Sequence, residues 1–145
     1  MKEDDEILIE HISMNDKQKM MQAKEIRIDV FVKEQDVDID ADWDDKQSEN
    51  YLAYYNNKVV GTIRWREIGR CVKMERLSVE KKYRGKGIAS MMIDNVLLDI
   101  RQKTQKKIIL HAQLLAMPLY ERKGFKKKGK LFYEQNIAHY SMFKD

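Results

Sequence analysis

The sequence predicts a mixed α/β domain, a mostly antiparallel, twisted sheet of about six to seven strands with about four helices. Three observations carry that prediction. Two runs rich in Tyr, Val, Ile and Trp, residues 50–55 and 58–68, flank Asn56-Asn57, which suits a tight hairpin turn. A third run, 71–79, follows the turn residues Gly69-Arg70, so three strands stand in antiparallel order. That third run then feeds a helical stretch and another strand, and a strand-helix-strand unit requires a right-handed parallel crossover. A sheet with both kinds of pairing is mixed, and a doubly wound parallel sheet is excluded.

The elements follow in order. Residues 7–12 alternate apolar and polar side chains and read as the first strand. Asn15 or Asp16 can cap the next helix, and Met20, Met21, Ala23, Ile26, Val30 and Phe31 form its apolar stripe. After the hairpin and the strand ending at Val79, Ile88, Met91, Met92, Val96 and Ile100 recur at helical spacing, predicting a helix from about Gly87 to Gln105. Ile108-Ile109-Leu110 centres a short strand over 107–113. Pro118 suits the first turn of a short helix and Gly124 its C-terminal cap. Residues 126–134 and 138–144 read as a closing hairpin around Gln135-Asn136.

The 145 residues, 43% hydrophobic and 36% charged, fit one soluble domain spanning 1–145. No apolar run approaches the roughly 18 residues that cross a bilayer, and the acidic start does not resemble a secretory signal. The expectation is a cytoplasmic protein without a membrane partner. One cysteine, Cys71, permits no internal disulfide, and no Cys/His cluster has zinc spacing. With 28 basic and 24 acidic residues the net charge is only +4, but the charges segregate. Acids crowd 34–49, while bases crowd 81–86 and 122–130. One reading is a basic face for a phosphorylated ligand and an acidic face for a cationic one; two solvated clusters is the other. Asp38, Asp40, Asp42 and Glu49 match calcium-loop spacing, but Trp43 stands where the loop needs glycine, and no metal is expected.

The chemistry centres on Arg84-Gly85-Lys86-Gly87, between a strand and a helix. The first N–H groups of a helix lack internal partners and the helix dipole favours an anion there, so this turn suits a phosphate. Two glycines let the backbone approach closely, and Arg84 and Lys86 supply charge. A dinucleotide fingerprint would require glycine where Ser90 stands, and a P-loop would require Ser or Thr where Gly87 stands. Both motifs fail. An ordinary solvated loop remains the competing reading.

These residues resemble a known family. Arg84-x-x-Gly87-x-Ala89, placed between a strand and an amphipathic helix, resembles the acyl-coenzyme A motif of the GNAT acyltransferase superfamily. Val30-Phe31-Val32-x-Glu34-Gln35 with its acidic sequel, Tyr120-Glu121-(basic)-x-Gly124-Phe125, and Phe132-x-Glu134-x-x-Ile137-x-His139-x-x-Met142 are similar to further segments of a small bacterial GNAT subgroup, in family order. The family often has glycine where Asn136 stands.

The resemblance implies the GNAT fold with splayed central strands, and transfer of an acetyl group from acetyl-coenzyme A to an amine by direct attack in a ternary complex. It assigns the pyrophosphate to Arg84, Gly85, Lys86, Gly87, Ile88, Ala89 and Ser90, and the pantetheine arm to Leu77, Ser78 and Val79. Gln113 stands where many relatives have asparagine and is expected beside the same arm. Tyr120 falls on the family's tyrosine. A phenol of pKa near ten matches a departing thiol near 8.5, so Tyr120 is the expected general acid. An attacking amine must first lose a proton, and Glu75 is the first expected base, with Glu34 the second. Glu34, Asp45 and His139 are expected on the acceptor side, and His111 is read as a core or sheet residue. The implied partner is a small-molecule or peptide amine, with a homodimer left open. A non-catalytic acyl-coenzyme A binding module is the alternative. Nucleic-acid binding through Lys126, Lys127, Lys128 and Lys130 has no motif to support it, so no nucleic-acid partner is expected.

Overall fold

A computed structural model describes residues 5–37 and 47–145. Asp45 and the aspartates of the calcium-like spacing before it lie outside the described residues. Seven strands form one sheet: β1 (Ile7–Ile12), β2 (Ser48–Tyr55), β3 (Lys58–Ile68), β4 (Cys71–Val79), β5 (Lys107–Gln113), β6 (Lys126–Glu134) and β7 (Ile137–Lys144). Their spatial order is β1-β2-β3-β4-β5-β7-β6, and β4 with β5 is the parallel pair among antiparallel neighbours. Among the described residues there are three α-helices, α1 (Lys17–Arg27), α2 (Ile88–Lys103) and α3 (Met117–Arg122), rather than about four. Asn56-Asn57 and Gln135-Asn136 both take positive φ, the turn geometry that matches strand twist.

The two faces of the sheet carry different helices. Along β2, Leu52 packs with Ile12, Met20 and Ala23 beneath α1, while its neighbours Tyr51 and Ala53 belong to the larger core with α2. In that core Met92, Ile93, Val96 and Ile100 meet Ile63, Trp65, Met74 and Leu110. Met91 and Met21 point outward instead: on each helix the adjacent methionine already occupies the apolar stripe. The Tyr51 hydroxyl donates to Asp99 of α2 at 2.7 Å and accepts from Trp65 Nε1 at 3.0 Å, which fixes the helix on the sheet.

Asp16 caps α1, its side chain accepting from the Lys19 N–H. The predicted helix does reach past Phe31, but it changes form: after Arg27 the chain continues as a π-helical segment, Ile28–Glu34. Such widened turns are rare and concentrate at functional sites. This one brings Arg27, Phe31 and Gln35 to a common cavity.

Two departures from regular β structure create that cavity. β4 and β5 pair only across Cys71–Lys73 and Lys107–Ile109, then diverge. Opposite, Thr62 pairs with Ser78 and Arg64 with Glu75, so Arg76 and Leu77 together face the single residue Ile63. This is a β-bulge, and Arg76 sits in it at φ +60. A non-glycine residue held left-handed inside a strand is strained, a feature typical of binding clefts.

Candidate active site

The cavity between the diverging strands measures about 460 Å³. Residues 75–77 of β4 form one wall and 111–113 of β5 the other, with Tyr120 of α3, His139 of β7 and Glu134 of β6 completing it. Beyond Lys73, β4 has no β5 partner. Its backbone on that side is open to an extended ligand.

The turn that follows β4 has the geometry of an anion cradle. Gly87 is the N-cap of α2 at φ +85, and Gly85 stands at φ +80, both conformations that side chains disfavour. No side chain caps the helix, which leaves its first N–H groups to a ligand. Ile88 is buried as the helix's anchor, while Ala89 and Ser90 are half-buried. Lys86 lies over the Tyr55 ring, 5.0 Å from its centre. Arg84 donates from Nε to the Val79 carbonyl at 2.9 Å and grips Glu34 with both terminal nitrogens. Arg84 thereby ties the turn to β4 and to the π-helical segment at once. Ser78 is buried, with its hydroxyl donating to the Arg76 carbonyl at 3.3 Å.

The residues expected at the site divide into groups. Leu77, Gln113, Tyr120, Glu75 and His139 line the cavity together. Glu34 is not among the lining residues; its carboxylate serves Arg84, whose hydrogen bonds hold it below the usual carboxylate range. Glu75 is buried, and its Oε2 accepts from Arg64 Nε and Arg66 Nε, each at 2.8 Å. Lys73 Nζ stands 3.6 Å from Oε1. Glu75 therefore neutralises a knot of three cations on β3 and β4. Tyr120 is buried, edge-on to Phe125 with ring centres 5.9 Å apart, and burial pushes its phenol well above ten. At neutral pH it carries its proton.

Other lining residues were not among the expected site residues, Gln35, His111, Arg76 and Glu134 among them. Gln35 and Gln113 exchange amide hydrogen bonds of 3.4 and 3.0 Å across the cavity. His111, read as a core or sheet residue, stands in β5 and also lines the cavity, meeting Glu134 through Nδ1 at 3.1 Å. Arg76 is carried there by the bulge. Gln35 and Glu134 each lie within a segment similar to the family, Glu134 directly before the Gln135-Asn136 turn; the bulge at Arg76 has no local signature.

The chain is similar to known proteins over nearly its whole length. The model of the acetyltransferase (GNAT) domain matches residues 11–145. The uncharacterized N-acetyltransferase YjcF of Bacillus subtilis is 32% identical over 137 residues, covering 92% of this chain and 97% of that protein. The crystal structure of Escherichia coli ElaA has a TM-score of 0.84 at 24% identity, covering 97% and 99% of the two chains. Arabidopsis thaliana Naa50, solved with the bisubstrate analogue CoA-Ac-MVNAL, has a TM-score of 0.71 at 24% identity over 96% and 98%. The last two likenesses show the fold. The family model and the bacterial relative, together with the motifs in family order, make this chain a member of the GNAT acetyltransferase family, an N-acetyltransferase that uses acetyl-coenzyme A.

Proposed function

We propose that the cavity between β4 and β5 is where acetyl transfer takes place, to the amine of a small molecule or a peptide. The observation that carries this reading is the joint placement of three features: an uncapped helix N-terminus after β4, an unpaired β4 edge, and the Tyr120 phenol in the cavity that edge borders. The N–H groups opening α2, with Arg84 and Lys86, would hold the pyrophosphate of acetyl-coenzyme A. The open backbone of Leu77 to Val79 would align the pantetheine arm, and an N–H there would stabilise the oxyanion that develops on the thioester. The Gln113 amide would contact that arm from the opposite wall.

Tyr120 supplies the proton that the departing sulfur needs. Its burial keeps the phenol protonated, and it lines the cavity beside the open β4 edge.

The test is thiol release from acetyl-coenzyme A across a panel of spermidine, glucosamine, 2-phenylethylamine and a pentapeptide with a free N-terminus. Release with at least one amine supports the reading. Tight binding of acetyl-coenzyme A with no release on any amine would favour the non-catalytic module.

A further inference from the structure

Attack requires a neutral amine, yet an alkylammonium of pKa near ten is almost wholly protonated at neutral pH. Some group in the cavity must therefore accept that proton. Glu75 is occupied as counter-ion to Arg64, Arg66 and Lys73. Glu34 belongs to Arg84 outside the cavity lining.

We propose that His139 is the general base, acting through Nε2 on the acceptor ammonium, with Glu134 steadying the charge that arises. The assignment rests on the proposed placement of acetyl transfer in this cavity. His139 Nδ1 lies 2.7 Å from the Ile137 carbonyl. A carbonyl oxygen only accepts, so Nδ1 carries the hydrogen and the lone pair of the neutral ring is on Nε2. The ring cannot swing freely. Its side chain is 10% exposed and it stacks on Phe132 with planes 22° apart.

Register places the ring correctly. His139 is the cross-strand partner of Gln113, at the end of β5 where the two central strands have diverged. On its other side it pairs with Phe132 of β6. Glu134 Oε1 stands 4.0 Å from Nε2. His111 Nδ1 holds the same oxygen at 3.1 Å from β5 and so orients the carboxylate. The remaining charged groups that line this cavity are Lys73, Glu75 and Arg76 of β4 and Arg27 of α1, and its phenol is Tyr120 of α3.

The proton count closes. Nε2 takes one proton from the ammonium, and the freed nitrogen pair forms the N–C bond to the acetyl carbonyl. As the C–S bond breaks, Tyr120 protonates the sulfur and is refilled by the second proton of the attacking nitrogen. His139 then returns its proton to solvent. The products are an acetamide, coenzyme A and one released proton.

The experiment compares wild type, H139Q and H111N with the panel amine that wild type turns over fastest, from pH 7 to 10. General-base assistance is worth about 10²-fold or more, so H139Q should lose about 100-fold in kcat/KM for the amine at pH 7. That deficit should shrink to less than about threefold near pH 10, where a large share of the amine is already neutral. Acetyl-coenzyme A binding by H139Q, measured by titration, should match wild type. A deficit that is the same at every pH, or one that shrinks with pH in H111N and not in H139Q, would overturn the assignment. Nitrogen NMR of wild type supplies a readout independent of turnover: His139 should show the Nδ1–H tautomer, and an Nε2–H tautomer would overturn it. No thiol release by wild type on any amine would overturn the acetyl-transfer reading along with this one; normal wild-type release with a pH-independent H139Q deficit would remove only His139's role.

Discussion

Arg84 and Glu34, fifty positions apart in sequence, hold each other through two parallel hydrogen bonds of 2.5 and 2.7 Å. The pair joins the turn before α2 to the π-helical segment after α1. It also gives the Glu34 carboxylate, expected on the acceptor side, a structural partner in that turn.

The two side chains of that pair are 40% and 31% exposed, so its contribution to stability should be less than about 1 kcal/mol. Function should separate the partners. Arg84→Ala is expected to weaken acetyl-coenzyme A binding by about tenfold or more, as loss of a charge-assisted phosphate contact does, while Glu34→Ala stays within about threefold. Isothermal titration of both variants decides this; equal losses would tie Glu34 to the ligand. The Arg84 bond lowers the Glu34 pKa. Its stabilisation is therefore present above the ordinary carboxylate range and fades as pH falls below it.

Glu75→Ala should behave as a stability variant. It removes the shared counter-ion of Arg64, Arg66 and Lys73 in a buried setting, where breaking an ion cluster costs about 3 kcal/mol or more. Chemical denaturation of wild type and variant measures it. A normal unfolding midpoint would show that the cluster is not structural.

Glu80 predicts a pH dependence. Burial, and then its hydrogen bond with Asp29, push its carboxyl up to about 7. The unfolded chain releases that proton near the usual 4.3, so between about 4.5 and 7 the folded state holds more protons. Stability should fall as pH rises through that window. Asp29, lowered by the same bond, acts in the opposite sense but at lower pH. Urea midpoints at pH 5 and pH 8 should differ more for wild type than for Glu80→Gln, and equal differences would contradict the pairing.

Tyr120→Phe removes a hydroxyl and leaves the edge-on contact with Phe125 in place. The melting temperature should stay close to wild type. Turnover should drop by about 10²-fold, the usual worth of a positioned acid, with acetyl-coenzyme A affinity unchanged. Unchanged turnover would take the acid role away from Tyr120. Because burial raises this phenol, its ionisation should not set the alkaline side of the activity profile.

The elements were legible because each is written in local periodicity and punctuation. Asn56-Asn57, Gly69-Arg70 and Gln135-Asn136 mark three turns in which a positive φ is needed, and strand and helix runs between them alternate or recur on schedule. The Arg84 to Gly87 turn was legible for the same reason: its glycines are a backbone requirement. Side-chain employment was not legible. Glu34, Glu75 and Glu134 are three carboxylates with nothing local to tell them apart, and each acquires its role from partners on other elements.

The sequence by itself determined the sheet, its parallel crossover, the glycine turn before α2 and the family, since all of these rest on residue type at short spacing. Only the tertiary structure decided where β4 parts from β5, that Arg76 occupies a bulge, and that His139 stands beside Glu134 facing the same cavity as Tyr120. The physical reason is range. Periodicity and capping act within a few residues, whereas ion pairing, burial and the tautomer of a ring are set by whatever the fold brings within about 4 Å.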